Sequence, residues 1–314
     1  MTKVDAVHPA PEPYDSRAFI KLRPATRAIE LEVMDYAPTH KDLQPLLILS
    51  PIDFPFPPSV EFCEFMKQIG YRVVYIRRLG FGGTPGLPGV LLTAPNIKAG
   101  AATMAEVTVI MRVIDAMKLE NIVLLGISSA NSICYRLCQA CSKIQFTVFS
   151  HPIFNQDTFD AISPTWLQPL ARQIFLTKRG FKLAAQGLRF KIKRNPLGFF
   201  DQFYSKSPSD LKYRRDHEED FVAAAKCVEK VSEETFFYEV FQTMREDSFL
   251  QDGLFRNVPC VAIFGSETTE EWLSAGKSEA DRLGVPYEIF SPGGILTAYT
   301  SPNQIVKAIK AHSV

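Results

Sequence analysis

The residues best placed to do chemistry in this sequence are Val123-Leu124-Leu125-Gly126-Ile127-Ser128-Ser129-Ala130-Asn131. A serine hydroxyl becomes a nucleophile when a nearby base takes its proton and backbone N–H groups receive the oxyanion that forms. The apolar run from Ile122 to Leu125 reads as a buried strand and residues 128–142 as a helix, with Gly126 allowing the sharp turn between them. Ser128 then stands exposed at the corner, in the pattern Gly126-x-Ser128-x-Ala130, where alanine is small enough to replace the last glycine of G-x-S-x-G. Five histidines could supply the base. His8 lies in a proline-rich leader, His40 in an early turn, His217 in the charged run Arg214 to Asp220, and His312 at the tail. His151 is the candidate, because it follows a strand expected at 146–149, and ligands of open α/β sheets gather beyond the carboxyl ends of strands. The competing reading is a histidine packed under a hinge with one nitrogen bonded to backbone.

A corner of this kind needs a sheet beneath it and helices around it. Strands are expected at 18–22 and 29–33 as an opening hairpin, the second alternating as a half-exposed antiparallel strand does. Leu46-Leu47-Ile48-Leu49 suits a central parallel strand, and a helix over about 59–69 with a strand at 71–76 completes a βαβ unit. Residues 77–86 carry glycines spaced like a phosphate loop. They lead to Pro85 and Pro88 rather than into a helix N-terminus, so they read as a connection. A long helix is expected over about 97–117. From 153 to about 254 the βαβ rhythm gives way to helical periodicity, many phenylalanines and dense charge, which reads as an inserted helical lid. Strands at 260–264 and 287–290, with helices at 270–283 and 302–311, restore the rhythm. The fold class is therefore α/β, a mostly parallel, doubly wound sheet. Residues 1–152 and 255–314 form the core and 153–254 the lid.

The order of these elements, with Ser128 where it falls, resembles the α/β-hydrolase family over nearly the whole chain outside the lid. Gly70-Tyr71-Arg72-Val73-Val74 is similar to the family's GYRV strand and Gly80-Phe81-Gly82-x-Thr84 to its RGFGxS loop. The run from Pro292 to Pro302, beginning Pro292-Gly293-Gly294-Ile295, is similar to its GGHxxxYxxP loop. The resemblance implies an α/β-hydrolase fold with the nucleophile at Ser128 and the oxyanion site near Ile52 and Ser129. It also implies a histidine at position 295 and an acid at position 268, and here Ile295 and Thr268 stand there instead. Ser50-Pro51 replaces the family's His-Gly after the first central strand. Isoleucine cannot accept a proton, and threonine has no charge to orient an imidazolium. In subtilisin, losing the base costs on the order of 10⁶ in turnover.

The expectation is thus a hydrolase-like protein with a degenerate triad, a pseudoenzyme that binds a small apolar or acyl-bearing ligand between core and lid, with hydrolysis absent or non-standard. The alternative is a serine esterase in which Ser128 works with a displaced base such as His151 and a displaced acid such as Glu267 or Glu270.

Composition bounds these readings. A chain of 314 residues with 46% hydrophobic residues can bury a large core. A net charge of +1 gives no polyanion-binding field, so no nucleic-acid partner is expected. Residues 1–14 hold no apolar run and no stretch is long enough to span a membrane, so a soluble, cytoplasmic protein is expected. Cys134, Cys138 and Cys141 fall on one helical face and, with Cys63, read as reduced core thiols; no cofactor and no metal is expected. Between Ala161 and Phe200 stand Arg172, Lys178, Arg179, Lys182, Arg189, Lys191, Lys193 and Arg194 with no acidic residue, interleaved with Trp166, Phe175, Phe181, Leu188, Phe190 and Phe199. That mixture suits an anionic amphiphile such as an acyl-CoA or a fatty acid, or an anionic membrane. The competing reading is a solvated face whose charges pair with the acidic run at 216–220 and the acidic segment beyond it.

Overall fold

Unbroken apolar runs become the middle of a sheet covered on both faces, because each strand must then bury every side chain. The computed structural model describes residues 19–22, 30–162, 178–245 and 249–313. Its strands are β1 (Phe19–Leu22), β2 (Leu31–Asp35), β3 (Gln44–Leu49), β4 (Tyr71–Ile76), β5 (Ile122–Ile127), β6 (Ile144–Ser150), β7 (Cys260–Gly265) and β8 (Tyr287–Phe290). They form one sheet in the order β1-β2-β4-β3-β5-β6-β7-β8. β1 and β2 pair antiparallel, as the expected hairpin, and β2 meets β4 antiparallel; from β4 to β8 every pairing is parallel.

Alternate residues of the central strands feed opposite layers. Leu47, Leu124 and Phe149 face a layer holding α3 (Ala101–Ala116) and α4 (Asn131–Ala140). Leu46, Ile48, Val123, Leu125 and Val148 face α1 (Val60–Gln68) and the C-terminal helix Pro302–His312. The single helix expected over 97–117 is two: α2 (Ala94–Lys98) and α3, broken where Gly100 takes a φ of 74°. A Cβ there would also stand 2.7 Å from the Arg136 guanidinium.

Between β6 and β7 the elements described are all helical: α5 (Gln156–Asp160), α6 (Lys178–Arg194), α7 (Pro196–Phe203), α8 (Pro208–Asp216), α9 (Glu218–Lys230) and α10 (Glu233–Arg245). Asn155, Asn195 and Ser207 cap α5, α7 and α8 by accepting from first-turn N–H groups. Trp166, Arg172 and Phe175 lie outside the described residues, as do the side chains of Lys178 and Arg179. After β7 come α11 (Glu270–Leu283), β8, the short α12 (Thr297–Thr300) and α13 (Pro302–His312). Among the described residues no helix is long and apolar enough to cross a membrane.

Candidate functional site

The corner at Ser128 is sharp, but the serine expected to stand exposed there is buried. Gly126 lies inside β5, paired with Leu49 and Phe149, and the turn is made by Ser128 itself, whose φ of 48° lies in the left-handed region. The reason for glycine at 126 is space: a Cβ there would come within 2.5 Å of both the Asn131 side chain and the Cys134 sulfur. The helix expected over 128–142 opens at 128 as a 3₁₀ turn over Ser128–Ala130, which runs into α4 and ends at Ala140. Asn131 fastens the corner, its Nδ2 donating to the carbonyls of Ser128 at 3.0 Å and Ser150 at 2.9 Å. Among the described residues, no histidine or carboxylate hydrogen-bonds to the Ser128 hydroxyl.

Ser129 and Ile52 do meet, through a side chain. The Ile52 N–H donates to Ser129 Oγ at 3.2 Å, and that hydroxyl donates to Glu239 Oε2 at 3.5 Å. Glu239 comes from α10 and belongs to a buried charge cluster. Arg78, at the end of β4, donates from Nε to Glu106 of α3 at 3.0 Å, from Nη1 to Glu239 at 2.8 Å, and again from Nη2 to both. The Tyr238 hydroxyl donates to Glu106 at 3.0 Å and Gln242 Nε2 to Glu239 at 3.1 Å. Arg78, Glu106 and Glu239 are all buried. Burial, against the attraction of Arg78, pushes the Glu239 carboxyl up to about 7. A helix of the segment between β6 and β7 is thus tied to the residues beside the corner serine.

His151 and Ser128 occupy adjacent ends of neighbouring strands, one residue past the Ile127–Ser150 pair, and His151 also has a positive φ, 44°. Its ring leans towards β7 instead. The Gly265 N–H donates to His151 Nε2 at 2.8 Å, and Thr268 Oγ1 lies 2.9 Å from the same nitrogen. A nitrogen that accepts an N–H carries a lone pair and no proton, so the ring proton sits on Nδ1, which is buried with no partner among the described residues. The ring packs edge-on to Trp272 at 5.7 Å and Phe264 at 6.1 Å. Burial lowers its pKa to about 3, which keeps the imidazole neutral.

Thr268 and Ile295 come together in the wall of a cleft of about 470 Å³. It opens between α7, the start of α8 and the loops that follow β7 and β8. Phe199, Phe203, Trp272 and Ile162 give it apolar walls, and Lys191 and Lys206 supply positive charge. Ser128 is not among its lining residues. The cleft is held together by carboxylates that the sequence alone did not single out as a group. Asp210 of α8 accepts the Ile295 N–H at 2.7 Å and the Leu296 N–H at 3.2 Å, and burial pushes it up to about 7. Gly294 permits that approach, since a Cβ there would lie 2.3 Å from the Asp210 carboxylate. Glu267, a candidate acid, instead accepts from Ser207 Oγ at 2.6 Å and from Ser209 Oγ at 2.6 Å. Against the cost of burial, those bonds hold its carboxyl below the ordinary value. The second candidate acid, Glu270, is exposed in the first turn of α11. Tyr204 donates to Asp53 at 3.2 Å, and burial pushes Asp53 up to about 6.

Cys134 and Cys141 are buried and Cys138 is half-buried. No group of three or more His, Cys, Asp or Glu side chains that could hold a metal ion occurs among the described residues. Arg78, Glu106, Glu239, Asp53, Tyr204 and Asp210 are the site residues that reading the sequence missed. Glu106 left one signal, since it stands in helical register with Ala102, Val109, Ile110 and Val113 on the apolar side of α3.

With its sharp serine corner and its parallel strand order, the chain has the α/β-hydrolase fold. It is similar to a bromoperoxidase from Bacillus anthracis at a TM-score of 0.59 and 14% identity, over 94% of this chain and 99% of that one. A proline iminopeptidase-related protein from Thermus thermophilus gives 0.59 and 17% over 94% and 96%. An esterase from Exiguobacterium antarcticum gives 0.57 and 15% over 91% and 96%. No protein-family model and no curated protein sequence matches the chain. At these identities the likeness is one of fold, and function rests on the site.

Proposed function

We propose that this chain is a hydrolase-fold binding protein, whose cleft between core and lid takes a small apolar or acyl-bearing ligand and whose Ser128 is not an activated nucleophile. One observation carries the reading: His151 directs its only basic nitrogen at the Gly265 N–H. A base needs a free lone pair within reach of the serine proton. The positions where a histidine and an acid would work hold Ile295 and Thr268, and the Ile52 N–H is taken by Ser129. The cleft supports binding, because it joins large apolar walls to a few charged groups.

The second reading, an esterase using Ser128 and His151, draws on the esterase among the structural neighbours. A fluorophosphonate probe separates the two. The expected outcome is no adduct on Ser128 by mass spectrometry; full labelling that disappears in His151→Gln would establish the esterase. For the ligand, a fluorescent medium-chain fatty acid should bind saturably. Ile295→Trp, filling the cleft wall, should weaken it about tenfold while the melting curve stays cooperative. Equal affinity in both proteins would place the ligand elsewhere.

A further inference from the structure

Helix α6 has two unlike faces. On one, Phe181, Ala185 and Ile192 are buried, with the Phe181 ring 5.1 Å from Phe236 and 5.2 Å from Phe237. The opposite face is open to water, yet Leu183 is 69% and Phe190 67% exposed there. At about 100° per residue, positions 183, 187, 190 and 194 fall along one line. Lys182 and Lys193 flank that line on one side and Lys191 on the other, while Arg194 ends it; all four are exposed. The helix contains no acidic residue. Lys182 reaches Glu233 at 3.6 Å. Lys193 and Arg194 make no ion pair among the described residues.

We propose that this face of α6 docks on an anionic phospholipid surface, with Leu183 and Phe190 entering the acyl boundary and the four cations lying among the headgroups. Charge and apolarity together choose the occupant. A nucleic acid would neutralise the cations and leave Leu183 and Phe190 in water. A second copy would set four positive charges against four. Anionic lipid satisfies both. The face also meets the cleft, since Lys191 belongs to both and Phe203, 39% exposed, lies at the cleft mouth. An amphiphile leaving the bilayer would find the cleft beside it. Docking itself rests on the helix face and not on what the cleft holds.

The test is co-sedimentation of the full chain with phosphatidylcholine vesicles with and without phosphatidylserine, at low and high salt. Binding is expected only with phosphatidylserine and to fall as salt rises. At about fivefold per cation, Lys193→Ala/Arg194→Ala should weaken it about 25-fold. Leu183→Ser/Phe190→Ser should weaken it at least about tenfold, and because these positions are exposed both variants should melt as the parent does. The cleft-filling Ile295→Trp should sediment like the parent, which separates this proposal from ligand binding. No sedimentation at low salt would overturn it. So would unchanged binding of Leu183→Ser/Phe190→Ser, which would mean a purely electrostatic surface. A dimer by light scattering that this variant turns into monomer would make the face an interface between copies.

Discussion

Arg78 is the residue on which the neighbourhood of the corner serine turns. Two carboxylates share its buried guanidinium, an arrangement held together by charge and hydrogen bonds that are both needed. Arg78→Met would leave Glu106 and Glu239 buried and facing each other, with an expected loss of about 3–5 kcal/mol in chemical denaturation. Converting all three, as Arg78→Met/Glu106→Leu/Glu239→Leu, should recover part of that loss. Recovery of nothing would show that the cluster matters for more than charge balance. The sequence did not make this cluster legible, because its members stand 28 and 161 residues from Arg78, and only Glu106, in register with the apolar side of its helix, departs from the look of a surface charge. Ser128, Thr268 and Ile295 were legible because each sits in a short run whose pattern is local. His151 was placed correctly at a strand end, but no sequence pattern says which way a ring will turn.

Among elements, the meeting of α8 with the loop after β8 is the one most open to titration. Asp210 of α8 closes two backbone N–H groups of that loop, and its folded pKa, about 7, lies above the ordinary carboxylate value. A carboxyl raised on folding stabilises the native state below its unfolded pKa, and that contribution is lost as pH rises towards 7. Relative to wild type, Asp210→Asn should therefore gain stability as pH is raised from about 4 to 7, by about 4 kcal/mol at most. Melting temperatures of both proteins across that range check it, and parallel curves would place the titration elsewhere. Such joints were hidden in the sequence, although the elements were not. The parallel strands were legible from unbroken apolar runs, and the hairpin from its alternation. The helix expected at 97–117 failed at Gly100, because an amphipathic pattern carries across a two-residue break in the backbone. Gly126 was read as a hinge, whereas its missing side chain makes room for Asn131 and Cys134.

For the whole molecule, the loss of βαβ rhythm after residue 152 marked where helices would gather, but not how they would lie on the sheet. One reading of the basic residues of that segment paired them with the run at 216–220 and the acidic segment beyond it. Lys182 pairs with Glu233 in the acidic segment beyond that run, while within the run Asp216 takes Lys212 and Glu218 takes Arg214. The Arg78 cluster has a bearing on traffic. It joins the residues just past β4, α3 and α10 by buried charges that are costly to part, so α10 is expected to act as a riveted panel rather than a door. The space beside Trp272 is lined on the α7 and α8 flank and not by α10, so a ligand is expected to enter there while α10 stays seated. Amide hydrogen exchange should report this directly, with the α10 amides as slow as those of β5 and the α7 amides much faster.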